Sequence, residues 1–151
     1  MSSGDTAARP PQGRQASPLR PDSVDLDQTF DVNSLHMLRR TVAAHADRLG
    51  AHDDQLERLI IVAGELAINA IRHGGGRGRL LLWRRDDALF CEVSDQGPGI
   101  KDPTAGTSLP NPVSSDGGGR GLWICRNLTN ELTISTGPDG RGTIVQAAIP
   151  R

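Results

Sequence analysis

One stretch constrains this chain more than any other. It runs from Asp53 or Asp54 to about Arg72 and is followed by Gly74-Gly75-Gly76. At 3.6 residues per turn, Leu56, Leu59, Ile60, Ala63, Leu66, Ala67, Ala70 and Ile71 gather on one side. An acidic residue at the start caps such a helix, and the glycines stop it. Glu65, Asn69, Arg72 and His73 fall on the opposite side, at i, i+4, i+7 and i+8. That polar set is either a solvated surface or a second covered face. Asn has little to gain on a water-facing helix surface. Positions 66–68 and 70–71 are small or aliphatic. Both facts favour cover on more than one side.

The remaining pattern arranges itself around this helix. A short strand is expected near Thr29–Val32, with Asn33 or Ser34 capping a first helix over Leu35–Leu49. Leu35, Leu38, Val42 and Leu49 form its apolar stripe, and Gly50 ends it. Strands Arg79–Arg84 and Ala88–Ser94 follow, turned by Asp86-Asp87. Residues 101–118 are rich in Pro, Ser and Gly and carry no periodicity, as a lid or binding loop would. A short helix Arg120–Leu128 precedes two last strands, Glu131–Thr136 and Thr143–Ile149. The order predicts an α+β two-layer sandwich, with helices on one face of a mixed, mainly antiparallel sheet. Residues 1–27 have almost no aliphatics and are expected to be a disordered tail before a single domain over 28–151.

Composition excludes several classes. A net charge of −1 gives no pull toward nucleic acid or anionic membrane. Phe30, Trp83, Phe90 and Trp123 are the aromatics, too few for a base-stacking platform. No apolar run nears the roughly 20 residues that cross a bilayer, and no secretory signal is visible at the start. Cys91 and Cys125 have no metal-ligand spacing and read as reduced core thiols of a cytoplasmic protein. His36, His45 and His52 match no metal template. Arg77, Arg79, Arg84 and Arg85 read as a solvated strand edge.

Three places carry chemistry. Asn69 offers a neutral oxygen of the kind Mg²⁺ takes alongside phosphate and water. Glu65, one turn earlier, has the reach and the basicity to accept a proton from an attacking hydroxyl. Asp95, at a strand end before Gln96-Gly97-Pro98-Gly99-Ile100, can accept from an exocyclic amino group. Gly97 and Gly99 let a flat ring approach the backbone, although Asp, Gly and Pro also make ordinary turns. Gly117-Gly118-Gly119-Arg120-Gly121-Leu122 opens a helix, whose amides favour phosphate, or is a plain connector. No Gly-Lys-Ser/Thr follows, so it is not a Walker loop, and no G-x-G-x-x-G opens a βαβ unit.

Taken in order, Glu65-x-x-x-Asn69-Ala70, Asp95-x-Gly97-x-Gly99, Gly119-x-Gly121-Leu122 and Gly142-Thr143 resemble the boxes of the GHKL ATPases. These include gyrase, the 90-kDa heat-shock chaperone, mismatch-repair ATPases and histidine kinases. The likeness covers about Asp27 to Ile149. The form Glu-Leu-x-x-Asn-Ala-x-x-His-Gly is most similar to bacterial anti-sigma factor serine kinases, which have the Bergerat ATP-binding fold.

That resemblance implies ATP and Mg²⁺ as cofactors. Asn69 would hold Mg²⁺ and Glu65 would be the catalytic base. Asp95 would read adenine, with Gly97, Gly99 and Ile100 along that wall. Gly119, Arg120, Gly121 and Leu122 would meet phosphates, with Arg72 and His73 nearby. Residues 101–118 would be the lid, and Thr143 would support Asp95 through its hydroxyl. The partners implied are a sigma factor on the first helix, a phosphorylated anti-anti-sigma protein and a second copy of the chain. One place departs from the pattern. Such kinases often carry Arg just before the G-x-G, and here Asp116-Gly117-Gly118 stands there, with Arg120 the nearest cation. A non-catalytic ATP switch and a detached histidine-kinase catalytic domain are the competing readings.

Overall fold

A computed structural model describes residues 21, 23–98, 106, 120–138 and 140–151. Its order is β1 (Leu26–Asp31), a 3-10 turn (Val32–Ser34), α1 (Leu35–Arg48), α2 (Asp53–His73), β2 (Arg77–Arg85), β3 (Ala88–Ser94), α3 (Arg120–Leu128), β4 (Glu131–Thr136) and β5 (Thr143–Ile149). The five strands form one sheet in the order β1-β2-β3-β5-β4. Every pairing among them is antiparallel, so the parallel pair implied by a mixed sheet is absent from the described strands.

Period-2 alternation divides the sheet into two faces. Leu80, Leu82, Leu89, Cys91, Val93, Val145, Ala147 and Ile149 turn inward and meet Leu38, Val42 and Ala46 of α1, Leu59, Val62, Leu66 and Ala70 of α2, and Leu122 and Cys125 of α3. Fully burying a side chain such as Leu59 or Leu66 stabilises the fold by about 1.5–3 kcal/mol. Leu81, Trp83, Phe90 and Ala148 form a separate cluster. In it Trp83 and Phe90, partners in the β2–β3 register, stack with centroids 5.5 Å apart. The helical layer therefore lies on one face, as the sequence predicts.

Details of the caps differ from expectation. Asp31 caps the 3-10 turn, accepting from the N–H groups of Asn33 and Ser34, while Ser34 caps α1 without a side-chain bond. His52 holds the N-cap position of α2, and Asp53 and Asp54 lie in its first turn, where their charge suits the helix dipole. Asp54 accepts from Arg58 at 2.8 Å. Strand β1 begins at Leu26, two residues before the expected domain start at 28. The rest of the expected tail, apart from Pro21 and residues 23–25, lies outside the described residues. So does the expected lid over 101–118, apart from Gly106.

The basic residues around β2 are exposed, and two of them are engaged. Arg79 donates to both oxygens of Asp27, at 2.7 and 2.6 Å. Arg84 donates to the carbonyls of Asp86 and Leu49. No described helix is long and apolar enough to cross a membrane.

Candidate functional site

The Glu65–Asn69 part of the polar face of α2 is covered. Helix α3 packs on α2 so closely that a Cβ at Gly121 would lie 2.8 Å from Glu65 Oε1 and 3.8 Å from Asn69 Oδ1. Glu65 and Asn69 are both half-buried, and their i, i+4 spacing puts carboxylate and amide one above the other. This decides between the two sequence readings of that face: Glu65 and Asn69 sit under a second element. Arg72 and His73, further along the same face, are exposed.

The glycine at the head of α3 has a spatial reason. Any larger residue at 121 would push into the Glu65 carboxylate. Arg120 beside it is exposed. Leu122 is 3% exposed and belongs to the core, so its backbone is what it can offer a phosphate. Gly106, in the left-handed conformation at φ 86°, lies against Leu122: a Cβ there would be 2.7 Å from the Leu122 Cβ. Gly99, Ile100 and Gly119 lie outside the described residues.

Asp95 follows the central strand β3 and is held by its neighbours. Its N–H donates to the Thr143 carbonyl at 3.0 Å, and its Oδ1 accepts from the Gly97 N–H at 2.9 Å. Burial raises the Asp95 carboxyl above the ordinary aspartate value, and the backbone N–H groups of Gly97 and Thr143 pull it part of the way back. Gly142, at φ 77°, donates to the Gly97 carbonyl at 2.7 Å. A side chain on Gly142 would strike the Asp95 carbonyl. Thr143 was expected to support Asp95 through its hydroxyl. The Thr143 main chain holds Asp95 as well, through its carbonyl and N–H.

The two halves of the site meet at glycines. A Cβ on Gly97 would fall 2.5 Å from Gly74 Cα and 2.9 Å from the His73 carbonyl oxygen. The helix bearing Glu65 and Asn69 therefore touches the Asp95 turn backbone to backbone. The sequence reading gave Gly74 no role beyond stopping the helix, although it follows His73 in the very run that carried the resemblance. Cys125 was likewise not linked to the site. Its thiol is pushed up by burial first, and then by the charge of Glu65 and by Cys91. Among the described residues, no group of three His, Cys, Asp or Glu side chains is gathered to hold a metal.

A two-layer α+β domain with a carboxylate–amide pair under a glycine-led helix, beside a half-buried Asp95–Gly97 turn, is a GHKL-type ATPase domain. The chain belongs to the histidine kinase-like ATPase domain family, which it matches over residues 29–149. It is 34% identical over 112 residues to the C4-dicarboxylate transport sensor protein DctS of Rhodobacter capsulatus, covering 64% of this chain and 17% of that protein. It is 29% identical over 116 residues to the anti-sigma F factor of Bacillus licheniformis, covering 70% of this chain and 77% of that one. In solved structures the fold recurs in the SiaB–SiaC complex from Pseudomonas aeruginosa, at a TM-score of 0.64 and 14% identity over 83% of this chain and 91% of that one. The chain thus spans about a fifth of the sensor kinases it matches and most of the anti-sigma factor.

Proposed function

We propose that this chain is a cytoplasmic, ATP-binding anti-sigma factor that phosphorylates serine or threonine on an anti-anti-sigma partner. The observation that carries the reading is the closure of Gly121 over Glu65 and Asn69. It brings a carboxylate and an amide beneath the first turn of α3, where the backbone N–H groups of a helix start and the helix dipole favour phosphate. Similarity to an anti-sigma F factor along most of that protein's length favours this reading over a detached sensor-kinase domain.

In this reading Asp95 accepts a hydrogen bond from the adenine amino group. Gly97 and Gly99 clear the backbone for the ring, and Ile100 adds an apolar wall. Asn69 would contribute one oxygen to Mg²⁺, an ion that takes its other ligands from phosphate and water. When bound, Mg²⁺ neutralises charge on the phosphates. Glu65 orients the serine or threonine hydroxyl of the partner and takes its proton as that oxygen bonds to the γ-phosphorus and the bond to ADP breaks. Gly119 and Gly121 present amides, and Arg120 is the nearest cation on α3. Arg72 and His73 stand at the solvent side, where they can meet the phosphates or the partner. Val32 and Met37, 63% and 59% exposed at the start of the α1 layer, suit a sigma-factor contact. The working form is proposed to be a homodimer.

A second reading has its own motivation: Gly118 stands where such kinases often carry Arg. The chain would then be a nucleotide-set binding switch. One experiment separates the two. The tagged protein is used to capture partners from its native lysate in Mg·ATP and in Mg·ADP. Captured small partners are then incubated with Mg·ATP and examined by mass spectrometry. Acid-stable phosphate on Ser or Thr, lost with Glu65→Ala, is the expected result. Nucleotide-dependent capture without any phosphorylated product would transfer the conclusion to the switch, and phosphohistidine would transfer it to a histidine kinase.

A further inference from the structure

Gly74 ends α2, and its backbone does not call for glycine. Its φ of −114° and ψ of 22° are open to other residues. Its neighbours Gly75 and Gly76, at φ 94° and 89°, do need the left-handed freedom of glycine. What Gly74 lacks is space. A Cβ there would overlap the Asp95 carboxyl at Cγ and Oδ2, and would come 2.7 Å from the Ala70 carbonyl oxygen.

The surroundings leave Asp95 little room to retreat. Its Oδ1 is tied to the Gly97 N–H, and its own N–H to the Thr143 carbonyl. Gly97 is itself tied to Gly142 and lies against the Gly74 Cα. With Oδ1 and the backbone anchored, the clearance left by Gly74 determines where Oδ2 lies. It also sets how closely the adenine-reading carboxylate approaches the helix that carries Asn69.

We infer that Gly74 is a positioning residue: the side chain it lacks places the Asp95 carboxylate, and through it sets the preference for a purine bearing an amino group at C6. The inference rests on the ATP-binding reading above. A methyl group at 74 turns or displaces the carboxyl and weakens base recognition, while the phosphate-binding end of the site keeps its geometry. A group placed to hydrogen-bond an amine discriminates against a carbonyl in its place, because the half-buried acceptor is then faced by another acceptor.

The test compares Mg·ATP with Mg·ITP, which replaces that amino group by a carbonyl, in calorimetric titrations of the full chain. The wild type is expected to prefer ATP by about tenfold to a hundredfold, the worth of one hydrogen bond to a charged group. Gly74→Ala is expected to bring that ratio close to one while ITP affinity changes less than about threefold. Gly75→Ala is the control for a general effect on the helix end. It strains the backbone, and its Cβ would come no nearer Gly97 Cα than 3.9 Å. It is expected to lower the melting temperature and keep the ratio. A wild type indifferent to the base overturns the reading of Asp95 itself, and this inference with it. A wild-type preference retained in Gly74→Ala overturns the inference alone. Should Gly74→Ala not fold, the double variant with Asp95→Ala is expected to restore cooperative melting. No restoration would assign the crowding to the Ala70 carbonyl and overturn the inference.

Discussion

Gly121 faces Glu65 so closely that a methyl group on it would stand 2.8 Å from the carboxylate oxygen Oε1. The atom it would strike is the far end of a flexible side chain. Gly121→Ala is therefore expected to fold, with the Glu65 carboxylate displaced. Misplacing a reacting group by about an ångström can cost on the order of a hundredfold in rate. Phosphotransfer by Gly121→Ala should fall about tenfold to a hundredfold, with nucleotide affinity changed far less. An unchanged turnover rate, measured with radiolabelled ATP and the captured partner, would remove Glu65 from the reaction.

Glu65 and Asn69 share one face of α2 but are assigned different tasks. Glu65→Ala should leave ATP affinity within about threefold and cut transfer by about a hundredfold to ten-thousandfold, as loss of a general base does. Asn69→Ala should weaken binding in Mg²⁺ and have little effect in EDTA. Titrations with and without Mg²⁺ check this, and equal losses under both conditions would count against a metal-bearing amide.

Burial holds the Asp95 carboxyl above its ordinary value despite the two N–H groups that oppose the shift. An acid whose folded pKa is raised binds its proton more readily when folded. Stability from this group therefore rises as pH falls through the folded value, and is lower above it. Asp95→Asn removes the half-buried charge. Its melting temperature is expected to exceed that of the wild type at pH 7, with the gap narrowing as pH drops through the raised pKa. Nucleotide binding should be lost at every pH. A gap that widens on acidification would contradict the direction of the shift.

Cys91 and Cys125 are both fully buried free thiols. Burial first, and the charge of Glu92 second, push the Cys91 thiol up to about 12. Neither cysteine is expected to react with Ellman's reagent at pH 8 until the protein unfolds, because the thiolate is the reactive form. Labelling in native buffer at the rate of a free thiol would show that the core holding Cys91 and Cys125 opens.

Leu66, next to Glu65 in sequence, points into the core and is 1% exposed. Leu66→Ala is expected to cost about 2–5 kcal/mol, since the cavity adds to the lost burial. Chemical denaturation measures this. A cost below about 1 kcal/mol would mean that α2 is not packed as described.

Much of this arrangement is legible in the residues. All five strands and all three described helices stand in their expected order, because alternation and helical periodicity are local properties of side-chain polarity. The boundaries shifted where local signals competed. Strand β2 reaches back to Arg77, since pairing with β1 extends it beyond its apolar centre. Ser34 holds the N-cap of α1, one of the two positions expected, while Asp31 caps the 3-10 turn that precedes it. The glycines at 97, 121 and 142 were visible as a pattern. Their reasons were not, because each is shaped by an atom far away in the chain: Gly74 Cα, Glu65 Oε1 and the Asp95 carbonyl.

The sequence by itself determined the order and type of the helices and strands and most of the core-facing positions, since side-chain polarity and backbone freedom act over a few residues. Only the tertiary structure decided that α3 covers Glu65 and Asn69, that Thr143 holds Asp95 through its main chain, and that Gly74 makes room for that carboxylate. Those are matters of clearance between elements distant in sequence, and close packing over such distances is set by the fold as a whole.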